Sequence, residues 1–207
     1  MSTQSSTNAV VPVDVIVLNG VSSSGKTTLA EALQDELGET WLIFGIDTLL
    51  SALPLALLEI HPDATIGTHP REHHVREGGI AFDADGTITV GAEFRRLESA
   101  WLKGVAAVAD SGVRLILDEV FLDGVLSQDR LRHALAGQRI AWFGVTCDDD
   151  VAARRERERG DRVVGASEKQ SLLVHEGVLY DLVVDTTVRT PPDVARQIVD
   201  YLLTLTQ

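Results

Sequence analysis

Eight consecutive residues have the types and spacing of a phosphate-binding loop. They are Gly20, Val21, Ser22, Ser23, Ser24, Gly25, Lys26 and Thr27, and they fit the pattern G-x-x-x-x-G-K-[ST] at every position. Glycines allow the backbone to wrap closely around phosphate oxygens, and the loop N–H groups then form a seat for an anion. We expect Lys26 to reach the β- and γ-phosphates of a nucleoside triphosphate and the Thr27 hydroxyl to bind Mg²⁺. Thr28 completes the predicted nucleotide-binding set.

The elements that flank this loop support the same interpretation. An apolar, β-branched run from Val13 to Leu18 predicts a buried parallel strand before the loop. After the loop, apolar residues recur at helical spacing: Leu29, Ala32, Leu33 and Leu37. A Gly/Ser-rich turn that matched the pattern by chance would not need a strand before it and a helix after it. The sequence therefore predicts a nucleoside triphosphate site.

Two aspartates follow other predicted strands, where ligands of parallel sheets collect. Asp118 follows the apolar run 113–117, the Walker-B arrangement, and is predicted to hold Mg²⁺ directly or through water. Asp47 ends a predicted strand over 41–46 and could orient an alcohol and take its proton. Each aspartate could instead cap the helix that follows it, which after Asp47 is predicted over 48–58. For Asp47, the spacing alone leaves both interpretations open.

The only dense positive charge lies between residues 154 and 162. Arg155, Arg159 and Arg162 are spaced four and three apart, so they share one face if the helix continues. Such a row could close over the triphosphate and stabilise the transferred phosphoryl group. A solvated helix held by Glu–Arg pairs is the alternative, and spacing does not decide between them. His69, His73 and His74 do not predict a metal site, because no cysteine or second cluster supports them.

The pattern of elements predicts an α/β fold with five strands, separated by helices, in a mainly parallel sheet. Alternation over 80–90 around Asp85-Gly86 predicts a small β-hairpin. We expect a flexible N-terminal tail over residues 1–11 and a single domain over 12–207. Within that domain we expect an insertion over 57–79 near the acceptor and a lid over about 154–166.

Composition restricts the class of partner. The 207 residues carry a formal net charge of −13, which argues against general nucleic-acid or membrane-surface binding. The single cysteine, Cys147, is compatible with a reducing compartment. No signal sequence or membrane span is predicted, so we expect a cytoplasmic protein. The sequence does not determine whether the protein forms a homo-oligomer.

Several segments together resemble chloramphenicol phosphotransferase, an antibiotic-resistance kinase with an adenylate-kinase-like P-loop fold. They run in order over most of the chain, and the most specific are FGID, the GG-I-x-FDADG hairpin and RGDR followed by HEGV-x-YD. The matching stretches are LNGVSSSGKT (18–27), WLIFGIDTLL (41–50), GGIAFDADG (78–86), EFRRLESAW (93–101), LILDEVFL (115–122), RGDRVVG (159–165) and HEGVLYDLVVDTT (175–187).

The resemblance implies a three-layer α/β/α P-loop fold and ATP-dependent phosphorylation of a hydroxyl group, with Mg²⁺ bound. It implies that Asp47 deprotonates the primary hydroxyl of chloramphenicol and that Arg159 and Arg162 are lid arginines. It places the adenine between the lid and the loop at Thr186-Thr187. We expect Arg155 to bind the nucleotide on the same side.

The chain departs from the family pattern in two places, and the second is expected to border the acceptor pocket. Glu119 stands after Asp118 where the family has a second aspartate, and residues 57–77 are longer and more polar than in the resistance enzyme. Another antibiotic, a sugar acid or a nucleoside monophosphate are therefore alternative acceptors. A nucleotide-binding switch that signals by conformation is the alternative outside the kinases.

Overall fold

Strands and helices alternate along most of the chain. The structure, a computed structural model, describes residues 11–60, 78–82, 87–159 and 173–205. Its strands are β1 (Val15–Asn19), β2 (Trp41–Gly45), β3 (Leu58–Ile60), β4 (Ile80–Phe82), β5 (Ile88–Val90), β6 (Arg114–Glu119), β7 (Ile140–Thr146) and β8 (Leu182–Asp185). Its helices are α1 (Lys26–Leu37), α2 (Ile46–Ala52), α3 (Ala92–Asp110), α4 (Val125–Ala134), α5 (Asp149–Arg159) and α6 (Pro191–Thr204), with a 3₁₀ turn at Leu55–Leu57.

Five strands form the central sheet in the order β2-β6-β1-β7-β8, and every neighbouring pair is parallel. The predicted five-stranded parallel sheet is confirmed. All five residues of β1 are buried, as expected for a middle strand covered on both faces. Because all the strands run the same way, their carboxyl ends meet at one edge, where β1 continues into the phosphate-binding loop.

Each face of the sheet packs against its own helices. On one face, Ile16 and Leu18 of β1 join a core with α1 and α6. On the other face, Val15 and Val17 join a core that includes residues of α3 and α4. The alternation of β1 side chains between the two cores produces the predicted three layers.

A second, three-stranded sheet lies in the region where the sequence predicted only a hairpin. Strands β4 and β5 are antiparallel and confirm the pairing predicted over 80–90, and β3 adds in parallel to β4. Ile80, Leu49 and Phe94 form the buried centre beneath it. The strand β3 was not predicted, since its three residues are too few to show a period.

The chain after β2 departs from the prediction. Strand β2 ends at Gly45, and α2 begins at Ile46, so Asp47 lies in the first turn of a helix rather than at the end of a strand. The predicted helix over 48–58 stops at Ala52. Pro54 explains the stop, because the residue before a proline avoids helical geometry and Leu53 is extended.

Several predictions lie outside the described residues. They are residues 1–10 of the tail, the histidines at 69, 73 and 74, the turn at Asp85-Gly86, the segment 61–77 within the predicted insertion, and Arg162 with the rest of the lid beyond Arg159. Val11, the last residue of the predicted tail, is described and buried in the core, so the packed part of the chain reaches one residue further than predicted. Among the described helices, none combines the length and apolar character needed to cross a bilayer.

Gly45 allows β2 and β6 to approach each other at the edge that carries Asp118. A Cβ added at Gly45 would lie 2.1 Å from the carbonyl oxygen of Asp118, which is backbone and cannot rotate away. We expect Gly45→Ala to lower the free energy of unfolding by about 2 kcal/mol, as an overpacked site does. Denaturant titration measures this loss.

Gly104→Ala is the matched control. Gly104 lies inside α3, and an added Cβ there would meet no atom within 4 Å. Because alanine is the better helix former, this variant is expected to gain about 0.5–1 kcal/mol. Equal stability of Gly45→Ala and the parent would contradict the close approach of the two strands.

Candidate active site

The phosphate-binding loop adopts backbone geometry that its small residues permit. Gly25 precedes α1 with φ of 89°, in the left-handed region that favours glycine, and Ser23 also has a positive φ of 61°. Gly20 lies against β7, where an added Cβ would be 2.3 Å from the carbonyl oxygen of Val145. The loop therefore wraps tightly around the start of α1, as the motif predicts.

Lys26 folds back over the loop. Its Nζ donates a hydrogen bond to the carbonyl oxygen of Val21 at 2.7 Å and lies 3.8 Å from a carboxylate oxygen of Asp118. The residue is only 5% exposed, so its charge stays inside the loop. An ammonium group in this place is available to the phosphate oxygens of a nucleotide.

Thr27 and Asp118 lie together although 91 residues separate them. The Thr27 hydroxyl donates to Asp118 Oδ2 at 2.7 Å. A hydroxyl and a carboxylate are the oxygen ligands that Mg²⁺ prefers. This donor set fits the predicted metal site, while among the described residues there is no cluster of three or more His, Cys, Asp or Glu that could hold a metal by itself.

Asp47 faces the same edge of the sheet from α2. Gly45 pairs with Asp118 across the two strands, so the start of α2 lies beside the metal pair. The alternative that Asp47 caps a helix is wrong, because the residue at the cap position is Gly45. Asp47 is exposed, and it interacts with other residues of the chain.

The edge of the sheet is strongly acidic. Burial raises the pKa of Glu119 to about 8, and the negative charges of Asp118, Glu98 and Asp47 contribute to the increase, while Lys26 opposes it. Glu119 had no assigned role in the sequence. The one signal for it was its position directly after Asp118 at the end of a strand.

A small cavity of about 30 Å³ lies beside this acidic edge. Ile46, the residue before Asp47, and Glu119 line it, together with apolar side chains such as Phe94 and Leu122. It lies on the side of Asp47, because Ile46 lines it and no residue of the phosphate-binding loop does. The cavity offers mostly hydrophobic contact with a few polar groups, as small-molecule sites do.

The arginines near this cavity are neutralised by carboxylates. Arg95 contacts both oxygens of Glu98, at 2.9 and 3.1 Å, and Asp123 at 2.5 Å. Arg130 contacts the same two carboxylates, at 3.5 and 2.8 Å. The four side chains form a closed network with no net charge, and each arginine already has acidic partners on two sides.

A second cleft, of about 390 Å³, lies on the nucleotide side and is lined by Gly25, Thr28, Arg155 and Thr186, among others. Thr186 donates to the Ser24 carbonyl oxygen at 2.6 Å and so ties the loop after β8 to the phosphate-binding loop. Arg155 donates to the Thr186 carbonyl oxygen at 2.9 Å. The structure thus brings two of the predicted adenine-side residues, Arg155 and Thr186, together.

Other predicted residues of this region have different surroundings. Thr187 does not line the cleft; its hydroxyl accepts the N–H of Asp148 ahead of α5. Asp148 caps α5, since its carboxylate accepts the N–H groups of Asp150 and Val151. The roles of Arg159 and Arg162 stay predictions, because these side chains lie outside the described part of the chain.

Sequence reasoning also missed the surroundings of Asn19, the last residue of β1. Asn19 is 1% exposed, and its amide donates to the hydroxyl oxygen of Tyr180 at 2.5 Å. Tyr180 in turn contacts Nδ1 of His175 at 2.7 Å. The segment HEGV-x-YD contained the signal, but the partner of its tyrosine is 161 residues away.

Solved structures of small-molecule kinases share this architecture. A sugar kinase from Janibacter sp. HTCC2649 superposes with a TM-score of 0.62 at 21% identity, covering 92% of this chain and 95% of that one. An APS kinase from Mycobacterium tuberculosis, in complex with AMPPNP and APS, gives 0.57 at 15% identity, covering 92% and 97%. A gluconokinase from Sinorhizobium meliloti 1021 gives 0.57 at 18% identity, covering 95% of each. At these identities the likeness establishes the P-loop kinase fold.

Sequence comparison supplies the family. Proteins from strains CDC 1551 and H37Rv of Mycobacterium tuberculosis, provisionally named O-phosphotransferases, are 33% identical over 191 residues, which is 89% of this chain and 80% of theirs. The family model described as chloramphenicol phosphotransferase-like protein matches residues 13–203. The chain therefore belongs to the chloramphenicol phosphotransferase-like family of P-loop phosphotransferases.

Proposed function

We propose that this phosphotransferase moves the γ-phosphoryl group of ATP to a hydroxyl group of chloramphenicol or a related antibiotic and so inactivates it. The observation that carries the proposal is that the donor-side residues and the candidate base lie at the same edge of the sheet. Lys26, Thr27 and Asp118 lie on the donor side, and Asp47 lies in the first turn of α2, which begins beside Asp118. The proposal treats residues 12–207 as one kinase domain.

On the donor side, the loop N–H groups and Lys26 would bind and orient the phosphates. The transferred phosphoryl group carries spread negative charge in its transition state, so the lysine charge lowers the barrier most when it is buried and fixed in place. Thr27 and Asp118 would hold Mg²⁺, which neutralises charge on the β- and γ-phosphate oxygens when bound. Arg155, Thr28 and Thr186 would line the nucleoside end of the cleft.

On the acceptor side, Asp47 would orient the hydroxyl group and take its proton as the new bond forms. Positioning of the two reacting oxygens in line is expected to supply much of the rate. The cavity next to Ile46 is predominantly apolar, with Phe94 and Leu122 in its wall. This lining favours an uncharged alcohol with an apolar body.

Anionic acceptors fit less well. A sugar acid or a nucleoside monophosphate needs a cation that is available to its carboxylate or phosphate. Among the described residues that line the cavity, Arg95 is the only arginine or lysine, and Glu98 and Asp123 already neutralise it. The charge arrangement therefore supports an uncharged acceptor over both alternatives.

The product of the reaction tests the proposed function. Purified protein incubated with Mg-ATP and chloramphenicol should yield the drug with one added phosphoryl group, detected by mass spectrometry, together with one ADP for each product molecule. A chelator of Mg²⁺ should stop the reaction. Phosphorylation of an alcohol unrelated to chloramphenicol in the same assay, with chloramphenicol and its relatives unchanged, would contradict the proposed acceptor but not the kinase.

The proton acceptor can be tested separately. Asp47→Asn keeps the shape of the side chain but removes the base, so we expect kcat to fall about 100-fold or more while the Kd for Mg-ATP stays nearly unchanged. Ser51→Ala, an exposed position later in α2, is the control and should behave like the parent. An Asp47→Asn enzyme that kept most of its kcat would remove Asp47 from the mechanism.

A further inference from the structure

Asn19 is held in one orientation by backbone groups. Its Oδ1 accepts the N–H of Phe121 at 2.9 Å, and its Nδ2 donates to the carbonyl oxygen of Val174 at 2.7 Å. These two contacts distinguish the oxygen of the amide from its nitrogen. The second N–H of Nδ2 points to Tyr180, so Asn19 can only be the donor in that contact.

The orientation of Asn19 also fixes the direction of the hydrogen bond between Tyr180 and His175. Because its oxygen accepts from Asn19, its own proton is available for the contact of 2.7 Å with His175 Nδ1. Burial raises the pKa of Tyr180 to about 12, although the hydrogen bond from Asn19 opposes the increase, so the phenol keeps its proton at neutral pH. The ring packs on Gly144, where an added Cβ would lie 3.1 Å from it, and this contact limits its movement.

The hydrogen bond from Tyr180 determines the tautomer of His175. With Nδ1 accepting from Tyr180, a neutral ring carries its proton on Nε2. Burial lowers the pKa of His175, and the charge of Lys26 lowers it further, so the ring is neutral at pH 7. Nε2 has no hydrogen-bond partner among the described residues, and the ring is partly exposed. An oriented N–H donor is therefore available within electrostatic reach of Lys26.

We propose that the Nε2–H group of His175, oriented by Tyr180 and Asn19, donates a hydrogen bond to a non-bridging oxygen of the phosphoryl group that is transferred. His175 is then a catalytic residue, and Tyr180 and Asn19 are positioning residues. The identity of the phosphoryl donor rests on the proposed function. The proton stays on the imidazole, and the contact stabilises charge on the phosphoryl oxygens beside the contribution of Lys26.

Substitutions of His175 measure the contact in the assay with Mg-ATP and chloramphenicol. His175→Leu removes the donor, and we expect kcat to fall about 100-fold with little change in KM for ATP. His175→Gln places an amide N–H near the same point and should recover much of the loss. Tyr180→Phe frees the ring to change tautomer and should lower kcat about 10-fold. Equal activity of the leucine variant and the parent would overturn the proposal, as would equal losses in the leucine and glutamine variants with unchanged melting temperatures.

Nitrogen NMR of the full chain labelled with ¹⁵N-histidine provides a readout that needs no acceptor. His175→Gln assigns the resonances. We expect Nδ1 of the free protein to be unprotonated, Tyr180→Phe to mix the two tautomers, and Mg-AMPPNP to shift the Nε2 resonance. A protonated Nδ1, or an Nε2 resonance that does not respond while calorimetry shows that AMPPNP binds, would overturn the role of His175 alone. Absence of AMPPNP binding would overturn the proposed function together with it.

Discussion

The pairing of β6 with both β1 and β2 is the constraint on which the site depends. Asp118 stands opposite Leu18 on one side and Gly45 on the other, at the carboxyl end of all three strands. One strand leads into the phosphate-binding loop and the other into the helix that carries Asp47. A shift of register by one residue would turn Asp118 to the opposite face of the sheet and separate it from Thr27. The bare backbone of Gly45 makes the close approach of β2 and β6 possible.

This arrangement concentrates negative charge that needs compensation. Asp47, Asp118 and Glu98 each raise the pKa of Glu119, and Lys26 is the charge that opposes them. A Mg²⁺ ion held by Thr27 and Asp118 would add positive charge where two anions, the triphosphate and the base, must approach each other. Within the described part of the chain, the closed network of Arg95 and Arg130 with Glu98 and Asp123 adds no net positive charge on the acceptor side.

The features that sequence reasoning predicted are those that adjacent residues determine. The loop at Gly20–Thr27 and the aspartate after an apolar strand are local patterns, and both lie where they were expected. The start of α2 was predicted two residues late, because β2 and α2 meet at Gly45 without a polar cap residue. The bonds from Thr186 to Ser24 and from Asn19 to Tyr180 join residues 162 and 161 positions apart. Only the order of strands in the sheet brings such partners together, and local periodicity contains no information about it.

The central claim is that a buried lysine in the phosphate-binding loop stabilises the transferred phosphoryl group, and the kinetics of Lys26→Ala test it most directly. Lys103→Ala, which removes an exposed lysine of α3, is the matched control. The account predicts that kcat/KM for the phosphorylated acceptor falls in Lys26→Ala by a factor equivalent to about 3 kcal/mol or more of transition-state stabilisation, with the control unchanged. Equal kcat/KM in the two variants would contradict the account.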